Sequence, residues 1–159
     1  MPLPALSSSI LRCARYGWAL PCTLAGLLFA VPMLLLGATW RRVDGVLEVG
    51  FASRLTGPGA AMARLPFTAI TFGHVVLGQT HHELQRLRRH EHAHVRQYER
   101  WGVVFFLAYL LASLSALLRG HSPYWHNRFE IQARAQELPD HSQTKSACSP
   151  HGAGAGRYQ

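Results

Sequence analysis

The apolar and polar positions divide the chain into blocks. Residues 17–39, GWALPCTLAGLLFAVPMLLLGAT, carry no charge, and the run exceeds the roughly 20 residues needed to cross a hydrocarbon core of about 30 Å. It predicts a transmembrane helix. Pro21 and Pro32 are tolerated in lipid, and Trp18 and Trp40 bracket the run as interfacial aromatics do. VDGVLEVGF (43–51) alternates, with Val43, Leu47, Val49 and Phe51 on one side and Glu48 on the other, the period of a half-buried strand. A Gly/Pro loop follows. FTAITFGHVVLG (67–78) is rich in β-branched and aromatic residues, and Ile70, Phe72, His74 and Val76 share a face provided that no bulge intervenes at Gly73. Together the two segments predict a small antiparallel hairpin.

From Thr80 the period changes. Thr80 can cap a helix with Glu83 three residues later, and Leu84, Leu87, Glu91, His94 or Val95, Tyr98 and Trp101 recur at helical spacing. Gly102 bends or ends this helix before the uncharged run VVFFLAYLLASLSALL (103–118), which falls at or below the transmembrane minimum. Ser122-Pro123 reads as an N-cap with proline at the first helical position, opening a short helix that Pro139 closes. The tail has almost no large apolar residues and is expected to be disordered. The fold class is therefore an α+β membrane protein, mostly helical: an N-terminal segment (1–16), an anchor (17–39), a domain over 40–138 that includes the apolar helix 103–118, and a disordered tail (139–159).

Composition narrows the partners. In 159 residues, 48% hydrophobic and 15% charged is too apolar for a disordered chain. The formal charge of +8 comes from 16 Lys+Arg against 8 Asp+Glu, and the basic residues gather beside apolar segments, as on proteins that sit against anionic lipid. No RNP-like aromatic pattern, C-x-x-C finger or helix-turn-helix spacing accompanies the charge, so no nucleic acid is expected. Cys13, Cys22 and Cys148 are too few and scattered for a disulfide framework. The apolar run is longer than a signal-peptide core and no A-x-A site follows it, which favours an uncleaved anchor in the membrane. Arg12 and Arg15 before the run and Arg41 and Arg42 after it leave the side of the membrane undetermined.

The candidate chemistry lies in RRHEHAHVRQYER, residues 88–100. His90, Glu91 and His94 spell H-E-x-x-H. Positions i and i+4 lie about 40° apart around a helix, so both imidazoles can reach one ion. Glu91 stands beside them, where a carboxylate can take a proton from water activated by a metal. His92, about 200° from His90, points to the far side. On the last helix Glu130 shares a face with His126, Phe129, Ala133 and Glu137, so Glu137 and His126 are substitutes for it.

These residues resemble the zincin metallopeptidases, and Glu130-Ile131-Gln132-Ala133 is similar to the E-x-x-A of the gluzincin branch, whose third ligand is a glutamate on a later helix. The resemblance covers the stretch from His74 to Ala135 and includes the minimal membrane-bound gluzincins, which also place an apolar segment between histidines and glutamate. It implies that His90, His94 and Glu130 hold Zn2+, that Glu91 is general base and acid, and that a strand such as 67–77 lines the substrate cleft. His92 departs from the family, which usually carries an apolar residue there. Tyr98 and His126 are auxiliary candidates as donors to an oxyanion, although Tyr98 also fits the core stripe. His74 is a further auxiliary candidate, and equally a core histidine.

If residues 103–118 crossed the bilayer, about 25 Å of helix would separate the histidines from Glu130. The short run and the glycines at its ends, Gly102 and Gly120, predict that it folds back. The expected function is a membrane-anchored zinc metallopeptidase with the bilayer and a peptide or protein as partners. The alternatives are a small non-catalytic membrane protein serving interaction or assembly, and a metal-binding sensor.

Overall fold

In the computed structural model, residues 5–53, 57, 58, 60, 64 and 67–137 are described, with side chains from residue 13 onwards. The tail 139–159, with Cys148, lies outside the described residues. Helix α1 (Ala5–Leu35) absorbs much of the predicted N-terminal segment as well as the apolar run, and its stretch Cys13–Leu35 is long and apolar enough to cross a membrane. It stops short of Thr39. The Ala38 N–H donates to the Met33 carbonyl and the Gly37 N–H to that of Leu34, at 2.9 and 3.0 Å, the crossed pair that closes a helix in a Schellman motif.

Four strands follow: β1 (Thr39–Val43), β2 (Val46–Phe51), β3 (Ala69–Phe72) and β4 (Val75–Thr80). This corrects the predicted single hairpin. Asp44 and Gly45, both at positive φ, make a two-residue turn between β1 and β2, whose register pairs Val43 with Val46. Asp-Gly is the dipeptide such turns favour, because both central residues must reach positive φ. The run 43–51 is thus a strand end, a turn and a strand, and TWRRV before it is a strand too. Likewise Gly73-His74 is the turn between β3 and β4, with Phe72 opposite Val75. The segments 43–51 and 67–78 do meet, but through β2 and β4 running parallel, Leu47 beside Val75 and Val49 beside Leu77. The result is a mixed sheet of order β1-β2-β4-β3.

The sheet has a helix on each face. Val49, Phe51, Val75 and Leu77 pack with Ala30, Met33 and Ala38 on the α1 side. Val46 and Val76 pack with Leu84 and Val95 on the other. That second helix, α2 (His81–Trp101), is capped by Thr80, whose hydroxyl accepts the Glu83 N–H at 3.2 Å. Glu48, predicted on a polar side, is buried beneath α2, where the Arg88 guanidinium grips both its oxygens at 2.7 and 3.0 Å.

At Gly102 the chain turns by 115° into α3 (Val104–Leu118). The φ of 56° at Gly102 is left-handed, and a Cβ there would stand 2.6 Å from the Trp18 indole, so only glycine fits this corner. Of α3, only Phe105 and Ala116 are buried, and leucines 107, 110, 111, 114, 117 and 118 are exposed. The last helix, α4 (Arg128–Ala135), starts later than the Ser122 cap predicted. Asn127 is the cap instead: it is fully buried, accepts the Phe129 N–H at 2.9 Å, and donates to the Tyr109 carbonyl at 3.1 Å and the Ser113 hydroxyl at 2.8 Å. Ser122 closes only a local turn, accepting the Trp125 N–H at 3.3 Å. α3 therefore folds back, and α4 returns to α2.

Candidate metal centre

His90 and His94 stand one turn apart on the buried side of α2, and α4 brings Glu130 onto them. The His90 Nε2 lies 3.3 Å from Glu130 Oε2 and the His94 Nε2 3.3 Å from Oε1, while the two Nε2 atoms are 3.1 Å apart. All three residues are buried, with one ligand atom of each within 4.8 Å of the others. This group could hold a metal ion.

The outer contacts decide which way the rings present their electrons. Glu137 Oε1 lies 2.6 Å from His90 Nδ1, and a carboxylate only accepts, so Nδ1 carries the proton. The Gln97 amide nitrogen donates to the Phe129 carbonyl at 3.1 Å, which turns its oxygen to accept from His94 Nδ1 at 2.8 Å. Neutral rings held in this way aim two unprotonated Nε2 lone pairs at one point. Glu130 adds a carboxylate: its Oε1 accepts from the Tyr109 hydroxyl at 2.8 Å, and its buried Oε2 has no hydrogen-bond donor. Electron pairs converging without a proton between them repel one another; a cation among them removes the conflict.

The same demand for positive charge appears in the protonation equilibria. Burial works against a charged His90, yet the Glu130 carboxylate 3.3 Å from its Nε2 and the nearby carboxylates Glu91 and Glu137 outweigh it and raise its pKa. Burial also works against an ionised Glu130, yet His90, His94 and Tyr109 hold its carboxyl well below the usual carboxylate range.

Glu91 is buried beside the ligands, and its Oε2 accepts from the Thr71 hydroxyl of β3 at 2.6 Å. Burial pushes its carboxyl up, opposed by the Thr71 hydrogen bond. A cleft of about 620 Å3 opens over His90, Glu91, His94 and Glu130, with the edge strand β3 along its wall. Arg134 lines it too, 3.8 Å from Glu130 Oε2, stacked on Trp125 at 4.9 Å. Tyr124, also in the wall, has its hydroxyl pushed up to about 12 by burial and by Glu130.

The other sequence candidates are dispersed. His92 faces the sheet, 3.7 Å from Glu48 Oε1. Tyr98 reaches the cleft wall but is buried against Phe105, at 4.4 Å between ring centroids, and its pKa is raised by that burial. His126 is not in the cleft: α4 begins only at Arg128, so His126 precedes the helix and stacks on His121 at 4.7 Å. His74 is also elsewhere, because it occupies a turn rather than a strand; it stacks on Tyr16 at 4.0 Å and lies 3.2 Å from Glu99. Glu137, weighed as a substitute ligand, stands behind His90. The sequence does not mark Tyr109 and Thr71, whose partners Glu130 and Glu91 lie 21 and 20 positions away, nor Gln97, which the Phe129 carbonyl 32 positions on orients; Arg134, one turn from Glu130 on the same helix, carries a local i,i+4 signal. No protein-family model, curated protein or solved structure matches the chain, so the resemblance to zincins rests on these residues alone.

Proposed function

We propose that the protein is a membrane-anchored, zinc-dependent metallopeptidase of gluzincin type. One observation carries the reading: two imidazole Nε2 atoms and a carboxylate converge, each ring turned inward by an acceptor behind it, with an ionisable glutamate next to them in an open cleft. Two nitrogens and one carboxylate suit Zn2+, and a three-ligand protein set leaves a position for water or substrate. The unsatisfied Oε2 of Glu130 fits such an ion. When bound, zinc lowers the pKa of water towards neutrality and polarises a carbonyl.

The chain's own residues supply the rest. Glu91, held by Thr71, takes the proton from the attacking water and returns it to the leaving amine. Its burial favours the protonated form needed for the second step. β3 is an edge strand, so its outer backbone groups are available to an extended peptide, which would lie across the cleft as an added strand. α1 anchors the protein, and the apolar surface of α3 rests in the same bilayer.

Metal analysis of the full chain in detergent tests this. About one zinc per chain is expected, with Glu91→Gln keeping the metal and losing hydrolysis of a peptide library. Unchanged zinc content in the His90→Ala, His94→Ala double variant overturns it.

A further inference from the structure

A second groove lies on the far side of α3. The chain leaving α3 runs back along Ala108, Ala112 and Ala116, and the space left between them is about 630 Å3. Its rim carries Arg119, His121, His126 and Arg128, and no carboxylate contributes to its lining. Between residues 101 and 137 the only acids are Glu130 and Glu137, and both are engaged at the histidine pair. Neither Arg119 nor Arg128 has an ion-pair partner among the described residues. Arg128 is held in place by rings, 4.7 Å from the Phe129 centroid and 5.7 Å from that of Trp101.

We propose that this groove binds the phosphate headgroup of an anionic phospholipid. The surroundings choose the lipid over a soluble anion. One wall is alkyl, Leu111 at its margin is exposed, and α3 continues this as an apolar surface with no charge from Val103 to Leu118. A helix apolar on nearly every side belongs in hydrocarbon. Trp125, 60% exposed in the segment that carries the basic groups, is placed as an interfacial aromatic. Arg119 follows the last turn of α3 and Arg128, packed on Trp101, borders its first half, so the basic rim runs along the groove, and at headgroup depth an Arg forks onto phosphate oxygens. An acyl chain then lies along the leucines of α3. The inference rests on α3 lying in lipid and is independent of the metal centre.

The test uses the full chain in neutral detergent, titrated with phosphatidylglycerol or phosphatidylcholine bearing brominated acyl chains and read by quenching of tryptophan fluorescence. At roughly a factor of five for each of the two arginines, phosphatidylglycerol should quench at about 25-fold lower mole fraction than phosphatidylcholine. The double variant R119Q, R128Q should lose that preference while still being quenched by phosphatidylcholine. R41Q, R42Q, which removes the same charge from β1, should keep it. R119Q alone, remote from the rings that hold Arg128, should lose about fivefold and serves if the double variant disturbs α4. Three results overturn the proposal: no preference in the wild type, equal loss in R41Q, R42Q, or displacement of phosphatidylglycerol by inorganic phosphate.

Discussion

His90 and His94 approach Nε2 to Nε2 at 3.1 Å while each keeps its Nδ1 on an acceptor, His90 on Glu137 and His94 on Gln97. Two neutral imidazoles would turn away from such a meeting. The acceptors behind them prevent it and so hold the electron pairs ready for a cation.

Removing an acceptor should therefore weaken metal binding without touching a ligand. Glu137→Ala and Gln97→Leu are each expected to lower zinc affinity by about 10- to 100-fold. Competition with a chromophoric chelator measures this. Affinities equal to the wild type would mean that the rings are oriented by packing alone.

Tyr109→Phe keeps the ring and removes the hydroxyl that donates to Glu130. A hydrogen bond to a charged group is worth about 1.5–3 kcal/mol, so zinc affinity should fall by at least about tenfold. The same chelator competition shows whether the apolar helix α3 helps to set the metal centre.

The metal-free and zinc-loaded proteins should answer pH with opposite signs. His90 has a raised pKa in the folded, metal-free chain, so its contribution to stability is complete below the ordinary histidine value of about 6.5 and is lost as pH rises through the raised one. The depressed carboxyl of Glu130 contributes above the ordinary carboxylate value of about 4.3 and loses this as pH falls towards its own pKa. Metal-free protein should be most stable between about pH 4.5 and 6.5, with stability falling above that window. Zinc-loaded protein should gain over the same rise, because the ligands bind zinc only when deprotonated. Thermal melts with and without a chelator, from pH 5 to 8, check both signs.

Arg88→Ala leaves the buried Glu48 carboxylate without its clamp. Breaking a buried pair costs about 3–5 kcal/mol, and the partial exposure of Arg88 puts the expected loss near about 2 kcal/mol once solvent screening is counted. Denaturant titration should show this, with zinc content per folded chain unchanged.

Gly102→Ala should destabilise the chain by about 1–2 kcal/mol, because alanine pays for the left-handed φ and meets Trp18. It should also lower zinc affinity, since the corner aims Tyr109 at Glu130. A stability loss with unchanged affinity would separate the corner from the site.

What the sequence determined by itself is local. H-E-x-x-H sits on a helix because its apolar period and the Thr80 cap lie within the same stretch, and helical angle alone divides His90 and His94 from His92. The uncharged run 17–39 likewise announces a long apolar helix. The alternation over 43–51 predicts one strand and passes over Asp44-Gly45, which the structure shows to be a turn. Only the tertiary structure decided what depends on distant partners. β2 and β4 pair in parallel because two separate hairpins stack side by side. Asn127 displaces Ser122 as cap because α3 buries it and takes its hydrogen bonds. His74 and His126 leave the cleft for a turn and for the far side of α3. Glu130 becomes part of the histidine cluster because the chain turns 115° at a glycine that Trp18 crowds. Periodicity is written in neighbouring residues, whereas convergence depends on how the helices and the sheet pack, and no short window of sequence contains that.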